Sequence, residues 1–176
     1  YWMKKYGFLD SVYEKRKVEE EDLESIVEQV RSDKLIGVNI TLPFKKKIIP
    51  FLDNLDDIAI YTQSVNTLFK THNQVMGLNT DVQGFTSSFT KDPAIEYEGK
   101  NIFIIGAGGV TSSIIAGLHS GINKIYITNR TKEKAEQLKK QDLSKRIEII
   151  NWGEIPKVCD LVINTTSVGL KKDENL

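Results

Sequence analysis

The apolar positions of this chain change period along its length, and the change divides it into two lobes. Residues 11–18 alternate weakly between apolar and polar side chains, which predicts a strand. Between residues 19 and 31, Leu23, Ile26, Val27 and Val30 fall at helical spacing behind an acidic first turn. That spacing predicts a surface helix with one apolar stripe. Residues 35–41 read as a buried strand stopped by Pro43, residues 45–52 as a short helix, and residues 56–60 as the start of another. Residues 65–70 and 74–78 flank His72-Asn73, a pair suited to a tight hairpin turn. Residues 81–89 predict a helix leaving the first lobe, and 93–99 a polar hinge.

From Lys100 onward strands alternate with helices. The pattern predicts a strand, a glycine turn, a helix over 111–121, a strand over 124–128, a helix over 132–140 and a strand over 147–151. A last strand follows over 161–164. Such alternation builds a parallel, doubly wound sheet. The expected fold class is therefore α/β: a first α/β lobe over residues 1–96 and a doubly wound domain over 97–176. The chain opens in what reads as the middle of an amphipathic helix and closes in a polar loop, so both lobes are expected to be incomplete.

The second lobe carries the first chemical signal. Ile104-Ile105-Gly106-Ala107-Gly108-Gly109-Val110 is a hydrophobic strand running into a glycine turn. Glycine lets the backbone approach a pyrophosphate, and amides at the following helix start hold the anion. About twenty residues on, Tyr126-Ile127-Thr128 ends in Asn129-Arg130-Thr131. In a Rossmann-type βαβ unit that strand tip reads the cofactor ribose; an acid there selects a free 2′-hydroxyl, and Arg130 favours a 2′-phosphate. The expected cofactor is NADP. The last strand ends in a second polar cluster, Thr165-Thr166-Ser167, facing the same crevice.

Charge and composition remove other classes. Lys plus Arg, 24, balances Asp plus Glu, 24, so no excess charge points to nucleic acid or a membrane surface. No long apolar run marks a membrane span. Cys159 stands alone, which excludes an internal disulfide and suits a reducing cytoplasm. In that compartment the Asn-x-Thr triplets at Asn39, Asn129 and Asn164 are not glycosylation sites. No metal site is expected. His72 falls in the predicted hairpin turn and His119 on the helix behind the glycine loop, where both read as surface or packing residues.

Three polar clusters in the first lobe sit at the ends of apolar strands: Asn39-Ile40-Thr41-Leu42-Pro43-Phe44-Lys45, Ser64-Val65-Asn66-Thr67 and Asn79-Thr80-Asp81. Carboxamide, hydroxyl, ammonium and carboxylate groups so placed suit a polyhydroxylated substrate. Lys45 and Asp81 are the pair able to move a proton, which hydride transfer to a ketone requires. The alternative is that Lys45 belongs to the solvated run Lys45-Lys46-Lys47 and Asp81 only caps a helix.

Taken in order, these motifs resemble the shikimate dehydrogenase family. Gly37 to Lys45 resembles its Asn-Val-Thr-x-Pro-Phe-Lys signature, Val65-Asn66-Thr67 its Ala-Val-Asn-Thr element and Gly77-Leu78-Asn79-Thr80-Asp81 its Gly-x-Asn-Thr-Asp element. The glycine turn, Asn129-Arg130-Thr131 and Ile163-Asn164-Thr165-Thr166-Ser167-Val168-Gly169 complete the set. The resemblance implies that Lys45 and Asp81 are catalytic and that Thr41, Asn66 and Asp81 bind substrate hydroxyls. It implies that Gly106, Ala107, Gly108, Gly109 and Val110 hold the NADP pyrophosphate, and Asn129, Arg130, Thr131 and Lys134 its adenosine ribose phosphate. Thr165, Thr166 and Ser167 would line the cofactor crevice, with Asp57 bordering the nicotinamide.

The activity implied is reversible NADPH-dependent reduction of 3-dehydroshikimate to shikimate, by a monomer or homodimer without nucleic-acid or membrane partners. The family's Ser-x-Ser substrate grip would lie before Tyr1, and its substrate-binding tyrosine and glutamine after Leu176. Gln63-Ser64 stands where the family has Gly-Ala, and Val82-Gln83 where a glycine normally follows the aspartate. An NAD-using quinate/shikimate dehydrogenase, a methylenetetrahydrofolate dehydrogenase and a non-catalytic relative binding shikimate or NADP are the alternatives.

Overall fold

The apolar stripe of Leu23, Val27 and Val30 finds its core on a small mixed sheet. A computed structural model describes residues 2–90, 98–118, 121–142 and 144–168. A short helix, α1 (Trp2–Lys5), precedes a long exposed segment. A 3₁₀ turn over Glu20–Asp22 then leads into α2 (Leu23–Arg31), and its entry is capped by Asp22 accepting from the Glu19 amide at 2.8 Å. Leu23, Val27 and Val30 are buried and pack with Ile48, Val65, Leu68 and Val75.

The sheet beneath them joins β1 (Gly37–Asn39), β2 (Asn54–Leu55), β3 (Thr67–Thr71) and β4 (Gln74–Leu78) in the order β1-β3-β4-β2. β3 runs antiparallel to β1 and β4, whereas β2 runs parallel to β4. His72 and Asn73 both take positive φ, 47° and 63°, so the β3–β4 turn is of the mirror-image type that a right-twisted hairpin favours. Helix α3 (Asp57–Thr62) is capped by Asp56, which accepts from the Ala59 amide at 2.7 Å. Helix α4 (Asp81–Thr90) closes the lobe.

Three expectations are corrected here. Residues 11–18 form no strand: all but the half-buried Val18 lie exposed, with no ladder partner among the described residues, and alternation without a partner does not make a sheet. The strand expected over 35–41 shrinks to β1, an edge strand whose pattern is mostly exposed, with Ile36 facing solvent. The helix expected over 45–52 is a series of turns and one 3₁₀ turn, Ile49–Phe51. Pro50 inside that run removes an amide that an α-helix would use. Residues 93–97 of the hinge expected over 93–99 lie outside the described residues, as does His119.

The second lobe matches its pattern closely. β5 (Asn101–Ile105), α5 (Thr111–Gly117), β6 (Lys124–Thr128), α6 (Lys132–Gln141), β7 (Ile147–Ile149) and β8 (Leu161–Asn164) follow in turn. All sheet pairs are parallel, in the order β7-β6-β5-β8. Ile102, Ile104, Ile125 and Ile127 of the central strands pack with Ile114, Ile115 and Leu118 of α5. Strand order reverses between β6 and β8 around β5, and that is where the crevice opens.

The lobes meet through α4 and α5. A Cβ at Gly117 would lie 2.9 Å from Phe85 Cδ1 and 3.0 Å from Thr86 Oγ1, so the glycine allows the close approach of these two helices.

Candidate active site

Lys45 is aimed by the backbone that carries it. The Phe44 amide closes a turn onto the Thr41 carbonyl at 3.0 Å, and the Lys45 carbonyl accepts from the Val65 amide at 2.8 Å. These bonds pin the segment to the residues entering β3. Lys45 Nζ then donates to Asp81 Oδ2 at 2.7 Å, and the two side chains are only 16% and 25% exposed. Its neighbours differ: Lys46 and Lys47 are exposed, and Lys47 pairs with Glu20 at the surface. Lys45 is therefore not part of the solvated run.

Asp81 is held from three sides. Asn66 Nδ2 donates to its other oxygen, Oδ1, at 2.8 Å, and the Asp81 amide donates to Asn79 Oδ1 at 3.0 Å. Asn66 Oδ1 accepts from the Thr80 amide at 3.0 Å and from Thr67 Oγ1 at 3.1 Å. Asn39 Nδ2 supports Thr67 Oγ1 at 3.1 Å. The ends of β1, β3 and β4 thus converge on one polar cluster, with Thr41 exposed beside it.

The glycine turn follows a backbone path that a side chain at its first position would block. Gly106 has φ 113°, and a Cβ there would lie 2.6 Å from Thr165 Oγ1 and 2.9 Å from Thr166 Cγ2. Only glycine meets both conditions. The Ala107 amide donates to Asn129 Oδ1 at 3.0 Å, which ties the turn to the end of β6. Thr165 Oγ1 lies 2.9 Å from Thr111 Oγ1 and donates to the Ile105 carbonyl at 3.1 Å, closing the other side. Gly108 and Gly109 are exposed, Val110 is half-buried, and no side chain caps the start of α5. A Cβ on Gly109 would sit 3.5 Å from Leu42 Cδ2, so the Thr41–Lys45 segment and the glycine turn border one cleft.

Arg130, Thr131 and Lys134 are exposed where β6 passes into α6, and Ser167 is exposed beyond β8. Two cations and a hydroxyl at the tip of β6, with an uncapped glycine turn beside it, suit a phosphorylated dinucleotide. Asp57 stands apart: it is exposed in the first turn of α3, and no described hydrogen bond links it to these groups. His72 is exposed in the hairpin turn.

The sequence placed Asn79 in a polar cluster suited to a substrate and gave no role to Thr62 or Ser113. Asn79 is 2% exposed and its Nδ2 donates at 2.9 Å both to Thr62 Oγ1 and to Ser113 Oγ. The polar run Asn79-Thr80-Asp81 directly after an apolar strand was the available signal. Ser113, 34 residues away on a helix face, gave none.

Two family models match in chain order. The substrate binding domain of shikimate dehydrogenase matches residues 1–68, and shikimate/quinate 5-dehydrogenase matches residues 89–170. The chain belongs to the shikimate dehydrogenase family. It is 46% identical to the shikimate dehydrogenase (NADP(+)) of Pelagibacter ubique, over 100% of this chain and 65% of that relative. The crystal structure of shikimate dehydrogenase from Aquifex aeolicus superposes with a TM-score of 0.87 at 36% identity, covering 99% of this chain and 64% of that one.

Shikimate 5-dehydrogenase from Thermus thermophilus, in complex with NADP(H) and shikimate, superposes with a TM-score of 0.81 at 27% identity. That match covers 96% of this chain and 61% of that one. The chain thus spans a little under two thirds of the shikimate dehydrogenases it matches.

Proposed function

We propose that the protein carrying this chain is an NADP-dependent shikimate dehydrogenase. It reduces 3-dehydroshikimate reversibly to shikimate, a step towards chorismate and the aromatic amino acids. The observation that carries the reading is the shielded Lys45–Asp81 pair, 2.7 Å apart on the first lobe at a cleft shared with the glycine turn.

Bound NADPH supplies a hydride to the carbonyl carbon of the ring. Lys45, as ammonium, stabilises the oxyanion that develops on the carbonyl oxygen and gives it a proton. Asp81 accepts from a neighbouring ring hydroxyl and holds Lys45 through Oδ2, while Asn66 fixes Oδ1. Thr41 and Asn66 contribute further hydrogen bonds to substrate hydroxyls. The turn from Gly106 to Val110 takes the pyrophosphate, with Asn129 fastening it. Arg130, Thr131 and Lys134 take the 2′-phosphate. Thr165, Thr166 and Ser167 line the crevice. Holding the reactants in one cleft supplies much of the rate.

Arg130 at the tip of β6 favours NADP over the NAD of a quinate/shikimate dehydrogenase. The intact ion pair favours an enzyme over a non-catalytic relative. The motifs around Asn66 and Asp81 disfavour a methylenetetrahydrofolate dehydrogenase. No described helix is long and apolar enough to cross a membrane. We place the protein in the cytoplasm, where the exposed Cys159 stays reduced. Mixing the intact protein with shikimate and NADP should produce reduced-cofactor absorbance; its absence, with both ligands bound, would leave a binding protein.

A further inference from the structure

We propose that Asn79 is a positioning residue through which α5 of the second lobe sets the place of the Asp81 carboxylate, a role that rests on the dehydrogenase reading above. An asparagine side chain offers two donors and one carbonyl oxygen. Here both donors and the oxygen are used, each toward a different element. Nδ2 reaches Thr62 Oγ1 at the end of α3 and Ser113 Oγ on α5, both at 2.9 Å. Oδ1 receives the Asp81 amide, the first residue of α4, at 3.0 Å.

Burial makes these bonds costly to break. Thr62, Asn79 and Ser113 are all buried, and an unsatisfied polar group there loses its hydration without return. Thr62 gives its own hydroxyl proton to the Ile58 carbonyl at 2.7 Å, which leaves its oxygen as the acceptor Asn79 needs. Ser112 Oγ adds a second tie from α5, to the Thr62 carbonyl at 3.2 Å. One turn beyond each of these contacts, Gly117 lets Phe85 of α4 seat directly on α5. α5 itself begins where the glycine turn ends. Whatever the glycine turn binds therefore acts on the same helix that grips Asn79, and Asn79 passes any shift to the Asp81 amide.

A bland buried asparagine would stabilise the fold and do nothing more. The two roles separate by linkage, because a shared element makes each ligand change the affinity of the other. Shikimate is titrated calorimetrically into the intact protein with and without saturating NADPH, a pair that cannot react because both are reduced. The wild-type affinity for shikimate should change by roughly fivefold or more on adding NADPH. In Ser113→Ala that ratio should fall to within about twofold of unity, with kcat down roughly three- to tenfold and NADPH affinity of the shikimate-free protein nearly unchanged.

Thr62→Val, which keeps the shape and removes the acceptor, should behave as Ser113→Ala, and Thr62→Ser should restore the wild-type ratio. It also reports if Ser113→Ala does not fold. A ratio of one in the wild type, or a wild-type ratio kept in the Ser113→Ala and Thr62→Val proteins, overturns the proposal. A wild type that binds neither ligand overturns the dehydrogenase reading instead.

Discussion

Asn66 holds one oxygen of the Asp81 carboxylate at 2.8 Å while Lys45 holds the other at 2.7 Å. The carboxylate is thus oriented by a neutral amide on one side and a charge on the other. A hydrogen bond to a charged group contributes more than a neutral one, about 1.5 to 3 kcal/mol. Asn66→Ala should therefore lower kcat/KM for shikimate by roughly 10- to 100-fold. Its KM for NADP should hardly move, since Asn66 belongs to the first lobe. Steady-state kinetics decides it, and a loss below twofold would remove Asn66 from the site.

The proposed contact of Arg130 with the cofactor is tested separately. It is exposed at the tip of β6, free to meet a phosphate, with Lys134 one turn into α6. Arg130→Ala should raise the KM for NADPH by roughly tenfold or more, the loss of one charge-assisted contact, and leave kcat close to wild type. Weak turnover with NADH should be unaffected. An equal loss with both cofactors would mean that Arg130 does not read the 2′-phosphate.

Ser64 Oγ is buried with no hydrogen-bond partner among the described residues. Removing an unsatisfied hydroxyl restores the desolvation it cost, about 1 kcal/mol. Ser64→Ala should raise Tm by roughly 2 to 4 °C. Calorimetric unfolding measures it, and a lower Tm would reveal a partner for the hydroxyl.

The second lobe was legible because its strands are continuous apolar runs bounded by turns, and a parallel sheet buries both faces of such strands. Ile102, Ile104, Ile125 and Ile127 are each buried as that pattern requires. The first lobe was less so. Val12 and Tyr13 belong to a weakly alternating run, yet periodicity names no partner strand, and both are exposed. Lys45 could not be separated from Lys46 and Lys47 by composition; the backbone bonds of its segment and the pairing with Asp81 set it apart. The Asn79–Ser113 contact was invisible for a related reason: residues that meet across two lobes leave no spacing in the sequence.

Asp53 ties the first lobe together in a pH-dependent way. Its carboxylate accepts from Arg31 and from the Val75 amide, and these bonds hold its pKa below the ordinary 3.8. A depressed carboxylate stabilises the fold above its unfolded pKa, and that contribution disappears as pH falls through the folded value. Asp53→Asn should therefore unfold at a lower temperature than wild type at neutral pH. The gap should persist down to about pH 4 and close below it. A gap independent of pH across that range would show that the charge of Asp53 contributes nothing.

The central claim is that Lys45 is the proton donor. Its direct test is the turnover of Lys45→Ala in the intact protein, with NADPH affinity measured on the same sample. If Lys45 gives the proton, kcat should fall roughly 100- to 10,000-fold, the range of general acid catalysis, with NADPH binding within about twofold of wild type. Turnover at the wild-type level would contradict it.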